Sequence, residues 1–320
     1  MPAVPPSALV LVVGDVNPDL VLRGDVVPRF GQAEQLLDDA ALLIGGSAAI
    51  TAHGFARLDR AVSLVAAVGD DGFAGPLLAA LAEAGVRLDH VVRREHQSTG
   101  LTVVLSRAAD RAMLTHLGTI PTLTAREVRD AVTANRDRGL RHVHVSSLFL
   151  QPSLARELPV LLAEIRAQGL SVSLDTNDDP AGRWQGVAEL LPHIDVLLPN
   201  RREAIALAQA MDAGEASVES AARALAERGP LVVVKDGSAG AMAVHPDGTL
   251  TAVRADAREP VDTTGAGDTF NAAFLDGWVD GRPLGHCLAR AVRAGTAAVG
   301  AVGGTAGQPS TRDLCTPASS

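Results

Sequence analysis

The chain has 320 residues, 47% of them hydrophobic, which is enough to bury a substantial core in one large domain and excludes a disordered polypeptide. A net charge of -9 and a pI near 5.4 argue against a nucleic-acid surface, and an aromatic content of 2% without any Tyr removes most of the material for base-stacking platforms. Cys287 and Cys315 do not make a disulfide framework or a zinc site, and they are compatible with a reducing compartment.

In chain order, Ala8 to Val13 is apolar but too short to span a bilayer, and it lacks the positive flank of a secretory signal. It reads as a buried first strand, and the chain as a soluble cytoplasmic protein with no membrane partner. Core strands are predicted at Leu9–Val13, Val62–Ala67, His142–Val145, Ser171–Asp175, Val196–Leu198 and Leu231–Lys235. Helices are predicted between them at Ser47–Leu58, Phe73–Ala84, Ala125–Ala134, Leu154–Gln168, Arg201–Ala210 and Ser217–Arg228. Such alternation predicts an α/β fold whose mainly parallel sheet is covered on both faces, with ligands outside the carboxyl ends of the strands. Residues 19–43 and 86–117 break the rhythm. They carry strand-like patches without crossover helices, and no Pro/Gly/Ser linker bounds them. They read as antiparallel insertions forming a small β lid on a single domain over 1–320, hinged at Gly45-Gly46 and Ser98-Thr99-Gly100.

Several clusters sit at predicted strand ends. Gly14-Asp15-Val16-Asn17-Pro18-Asp19 has the composition of a turn, yet a carboxylate such as Asp19 accepts two hydroxyl protons at once and suits a polyol. Gly45-Gly46-Ser47 precedes a small-residue helix and permits close approach of a ligand or of a neighbouring backbone. Arg111 and His116 read as solvated lid charge in preference to substrate contacts. Asp175 and Asn177 also end a strand and are candidates for lining the site. Asn200 and Glu203 have the spacing of a capping box, and the same geometry aims an amide oxygen and a carboxylate at one spot, sufficient for Mg²⁺. Lys235, the single lysine, ends a strand before Asp236-Gly237 and is either an exposed strand-end lysine or a point charge lying along a triphosphate. It follows Val234, so the ordinary P-loop is excluded.

The most informative string is Asp262-Thr-Thr-Gly265-Ala266-Gly267-Asp268-Thr-Phe270. Its glycines open into a helix on which Phe270, Phe274 and Trp278 recur every four residues, and a second Ala-rich helix is predicted over Pro283–Val302. A helix N-terminus preceded by glycines receives phosphate oxygens, and an Asp at that junction is either a helix cap or a general base.

The string resembles the second signature of the ribokinase family, the phosphofructokinase-B type carbohydrate kinases. The similarity extends from Gly14 to the last glycine loop. It implies a ribokinase-like three-layer αβα sandwich with a small β lid, and ATP-dependent phosphorylation of a sugar or sugar acid. Asp268 would be the catalytic base and Gly265, Ala266 and Gly267 the anion hole. Asn17 and Asp19 would bind sugar hydroxyls, with Gly45, Gly46 and Ser47 facing the sugar. Lys235, Gly237 and Asn200 would border ATP, Asn200 and Glu203 would serve Mg²⁺, and Asp262 a monovalent cation such as K⁺. The region after the catalytic helix would border the adenine, and lids in the family often pair into homodimers. The chain departs from the family in having Ile50 where Asn is usual. A nucleoside kinase on the same fold, or a sugar-binding regulatory protein without catalysis, are the alternatives.

Overall fold

The computed structural model describes residues 8–32, 34–107, 110–212, 217–256 and 258–315. In chain order these form β1 (Leu9–Val13), β2 (Asn17–Arg23), β3 (Asp39–Gly45), α1 (Ser47–Arg57), β4 (Val62–Gly69), α2 (Ala74–Glu83), β5 (Arg87–Arg94), β6 (Leu101–Arg107) and β7 (Asp110–His116). There follow α3 (Ala125–Asn135), β8 (Leu140–Ser146), α4 (Pro152–Ala155), α5 (Leu158–Ala167), β9 (Ser171–Asp175), β10 (Val196–Leu197), α6 (Arg201–Ala210) and α7 (Val218–Ala226). The chain ends with β11 (Leu231–Lys235), β12 (Ala241–Val244), β13 (Leu250–Val253), α8 (Ala266–Val279), α9 (Leu284–Ala298) and α10 (Thr311–Cys315).

Among the described residues the main sheet has nine strands in the order β13-β12-β11-β10-β9-β8-β1-β4-β5, parallel except for the β12 and β13 pairings. Its central strands are continuous runs of Val and Leu because both faces are covered. Leu9, Leu11 and Val13 face one apolar cluster with α3 and α5, while Val10 and Val12 face another with α1, α8 and α9. The result is the three-layer α/β arrangement the alternation predicts. One polar seam crosses it: His142 and His144 bond Ser171, Ser173 and Ser146, and burial holds their imidazoles neutral, pushing them down to about 3 and about 4.

The smaller sheet has the order β3-β2-β6-β7. Two expectations are corrected here. β5, within the predicted second insertion, pairs in parallel with β4 at the edge of the main sheet, so only β6 and β7 of that stretch belong to the small sheet. Its four arginine and histidine side chains resemble lid charge in sequence, but they are the usual means of blunting an edge strand. The small sheet is also not wholly antiparallel, since β2 and β6 run parallel. The helix predicted over Leu154–Gln168 is broken into α4 and α5 because Pro159 lacks an N–H and its ring opposes the carbonyl four residues back. β12 and β13 were not predicted, being short and without strong alternation. No helix among the described residues is long and apolar enough to cross a membrane.

Candidate active site

The N-terminus of α8 sits at the carboxyl edge of the main sheet and supplies the centre of the site. Gly265 precedes it at φ +68°, a left-handed conformation, and a Cβ there would lie 2.6 Å from Gly304. The Gly265 and Gly303-Gly304 loops therefore pack backbone to backbone. Helix geometry gives the Gly267 and Asp268 N–H groups no intrahelical acceptor, and both stand at the positive end of the α8 dipole. Asp268, in the first turn, is 9% exposed. Burial pushes its carboxyl up to about 7; a hydrogen bond from Ser47 and the charge of Lys235 oppose that shift, while Asp175 and Asp15 add to it.

Ser47 is the first residue of α1, and its Oγ donates to Asp268 Oδ1 at 2.5 Å instead of standing free at the sugar edge. Gly46 takes φ +85°, and a Cβ there would fall 2.8 Å from the Asp15 carbonyl. Asp15 lies after β1, and its two carboxyl oxygens accept from the Ser47 and Ala48 N–H groups at 3.2 and 3.1 Å, capping α1 from outside the helix. Ile50 is buried, with its Cδ1 against Gly304, so it serves packing where an amide would serve recognition.

Asn17, Pro18 and Asp19 are not a turn: they begin β2. Asn17 Nδ2 donates to Asp19 Oδ1 (2.9 Å) and to Thr102 Oγ1 of β6 (3.2 Å). Gly45 has a steric reason as well, because a Cβ would lie 2.0 Å from Asp19 Oδ1. Burial lifts the Asp19 carboxyl to about 7, Asp15 and Asp262 push the same way, and Asn17 and Arg111 oppose them. Arg111, expected to be solvated, instead donates from Nη1 to Asp262 Oδ1 at 3.2 Å and to Thr264 Oγ1. Asp262 also accepts from Thr264 N–H (2.8 Å), Thr264 Oγ1 (2.7 Å) and Gly303 N–H (2.8 Å). The small sheet is thus tied to the loop that precedes the glycine turn into α8.

Lys235 ends β11 and is largely buried behind Gly267. Its Nζ pairs with Asp175 Oδ2 (2.5 Å) and reaches Asn271 Oδ1 (3.3 Å), while Asn271 Nδ2 binds the same Asp175 oxygen (2.6 Å). Next to them, Asn200 and Glu203 form a complete capping box on α6: Glu203 N–H donates to Asn200 Oδ1 (2.9 Å) and Asn200 N–H to Glu203 Oε2 (2.7 Å). Burial, reinforced by Asp175, pushes the Glu203 carboxyl up to about 7. A cavity of about 260 Å³ opens beside Ala266 and Gly267; Lys235 and Gly237 line one part, and Phe270, Val292 and Val299 give it apolar walls. Asp15, Ser147 and Asn271 belong to this constellation without having been singled out. Only the position of Asp15 after a strand and of Asn271 one turn beyond Asp268 distinguishes them in sequence.

Comparison with known proteins gives one consistent result. The model of the family described as pfkB family carbohydrate kinase matches residues 7–311. The chain is 28% identical to the ribokinase of Schizosaccharomyces pombe, over 94% of this chain and 95% of that protein. It is 31% identical to the ATP-dependent ribose-1-phosphate kinase of Halopiger xanaduensis, over 92% of this chain and 93% of that protein. The structure of Arabidopsis thaliana ribokinase complexed with ribose and ATP superposes with a TM-score of 0.81 at 25% identity, covering 97% of both chains.

Proposed function

Because the chain belongs to the pfkB family of carbohydrate kinases, we propose that it transfers the γ-phosphate of ATP to a hydroxyl of a small sugar or sugar acid, with Asp268 as general base. The observation that carries this reading is the Asp268 carboxyl, buried in the first turn of α8 and lifted to about 7. A base with that pKa takes a proton near neutral pH and gives it up again. Asn17 and Asp19 orient the acceptor alcohol, Asp268 removes its proton, and the Gly267 and Asp268 amides, on the turn made by Gly265 and Ala266, stabilise charge on the migrating phosphoryl group; the Ala266 N–H itself is taken by the Thr263 carbonyl. Lys235 acts from behind Gly267, adding positive charge beneath the anion hole, and Gly237 borders the nucleotide phosphates. The cavity walled by Phe270, Val292 and Val299 suits an adenine. The small sheet serves as the lid of a single domain and excludes water that would otherwise accept the phosphoryl group. Exposed Leu42, Met113 and Leu114 on that sheet support pairing of two copies through it.

Mg²⁺ fits this site only in part. Among the described residues no three His, Cys, Asp or Glu side chains stand close enough to hold an ion. Mg²⁺ bound to phosphates needs just one or two protein oxygens and keeps several waters. Glu203 and Asn200, whose oxygens are engaged in the α6 cap, suit contact through such waters. When bound, the ion would neutralise phosphate charge. A monovalent cation does not fit at Asp262, whose oxygens already receive two N–H groups, a hydroxyl and the Arg111 guanidinium.

The test is ATP consumption with a panel of sugars, sugar acids and nucleosides, run on the wild type and Asp268→Asn. Turnover on a sugar or sugar acid is expected, falling by roughly 10²–10⁴ in the variant with nucleotide binding retained. Turnover on nucleosides alone would replace the substrate class, and near-wild-type turnover of Asp268→Asn would remove Asp268 from the reaction.

A further inference from the structure

Two loops after main-sheet strands and the first turns of α1 and α8 are joined by an unbroken line of hydrogen bonds that ends on Asp268. Ser147, after β8, donates its backbone N–H to Asn177 Oδ1 at 2.8 Å. Asn177, after β9, donates from Nδ2 to Ser47 Oγ at 3.1 Å, and Ser47 Oγ donates to Asp268 Oδ1 at 2.5 Å. The line has a direction fixed by chemistry. A backbone N–H only donates, so the Asn177 oxygen must face Ser147 and its NH₂ must face Ser47. The Ser47 oxygen is then occupied as an acceptor, and its own hydrogen is left for the carboxylate.

The surrounding backbone is shaped to this end. Ser147 and Asn177 both stand in the left-handed region, at φ 55° and φ 53°, where non-glycine residues are uncommon and cluster at functional sites. The Asn177 N–H is held by Asp175 Oδ1 at 3.1 Å, the Ser147 hydroxyl adds a second donor to Asn177 Oδ1 at 3.4 Å, and Asp15 fixes the Ser47 N–H. Ser47 is therefore gripped from both its main chain and its side chain, two residues beyond Gly45.

From this geometry we infer that Ser47, oriented by Asn177, is a positioning residue: it locks Asp268 Oδ1 as an acceptor and leaves Oδ2 as the oxygen that takes the substrate proton. The inference rests on the reading of Asp268 as the base. In the transfer the substrate O–H bond breaks, an O–H bond forms at Asp268 Oδ2, and the freed electron pair attacks the γ-phosphorus as its bond to the bridging oxygen of ATP breaks and ADP leaves with that electron pair; Ser47 keeps its own hydrogen throughout. Since Ser47 donates to the charged carboxylate, it favours ionised Asp268. Asp175, Lys235 and Asp15 are the other charged groups facing it, and none of them is altered by changing Ser47.

The experiment measures kcat, KM and the pH dependence of turnover for the wild type, Ser47→Ala, Ser47→Thr and Asn177→Gly, with thermal midpoints as a check on folding. Glycine at 177 removes the side chain while tolerating the left-handed backbone. Ser47→Ala is expected to lower kcat by about 10- to 100-fold, the range for losing a hydrogen bond to a charged group, with KM for sugar and ATP changed much less. Its acid limb should move to higher pH, Asn177→Gly should move the same way by a smaller amount, and Ser47→Thr should restore the wild-type profile. A Ser47→Ala profile superposable on the wild type would overturn the inference. So would a Ser47→Thr variant as impaired as Ser47→Ala, which would point to packing alone. Asp268→Asn measured alongside separates the two levels: if it stays active the base assignment fails, whereas if it is inactive and Ser47→Ala is unaffected, only the positioning role fails.

Discussion

Burial lifts the Asp268 carboxyl towards neutral pH and makes its charge costly to the fold. Its native carboxyl titrates near 7 against an ordinary 3.8, so the native state binds the proton more tightly than the unfolded chain. The associated stability is fully present below the unfolded value and is lost as pH rises through 7. Asn mimics the protonated carboxyl, so Asp268→Asn should raise the thermal midpoint at pH 8 by several degrees, and by less at pH 5; calorimetry at the two pH values checks this. Lost turnover with gained stability would identify a charge kept for chemistry. Asp268 was legible because its glycines precede it and its helix continues after it within one local string. The partner of Ser47 was not: the two residues are 221 positions apart, and the small-residue context of Ser47 pointed equally to a ligand or to a packed backbone.

The small sheet illustrates what can be read of an element and what cannot. Its strands were legible from their apolar patches and the absence of crossover helices, but its boundary was not, because the charged edge strand β5 has the composition of a lid. The tie between β7 and the loop before α8 runs through Arg111, Asp262 and Thr264, and the Arg111 side chain is 35% exposed. A half-exposed pair is worth little to global stability, so its value is expected in positioning. Arg111→Ala should leave the thermal midpoint within about 2 °C, since a surface pair contributes ~1 kcal/mol or less, and should raise KM for the sugar roughly two- to fivefold, the equivalent of such an energy. Steady-state kinetics decide this, and an unchanged KM would reduce the contact to surface pairing.

Across the whole molecule, the helix that carries Asp268 is anchored at its far end by charge. Arg60, 4% exposed at its side chain, binds Asp276 Oδ1 (2.7 Å) and Asp280 Oδ2 (2.8 Å), and Arg290 pairs with the other Asp276 oxygen. Removing one partner of a buried pair leaves an uncompensated charge at a cost of about 3–5 kcal/mol. Asp276→Ala should therefore lower the urea midpoint strongly while sparing turnover per folded molecule. The same two-ended arrangement, a pinned C-terminal turn and a glycine-packed N-terminus, keeps α8 in register with the strand ends that surround Asp268.

By itself the sequence determined the alternating α/β plan, the strands β1, β9 and β11 to the residue, the glycine turn into α8 and the kinase family, since each follows from short-range periodicity or from contiguous residues. The tertiary structure alone decided that Lys235 is paired with Asp175 behind Gly267, that Arg111 binds Asp262, and that Ser47 donates to Asp268. Each of those is a choice among partners for a polar side chain. Which donor meets which acceptor depends on loops brought together by sheet order, and that order is fixed by burial of the whole core.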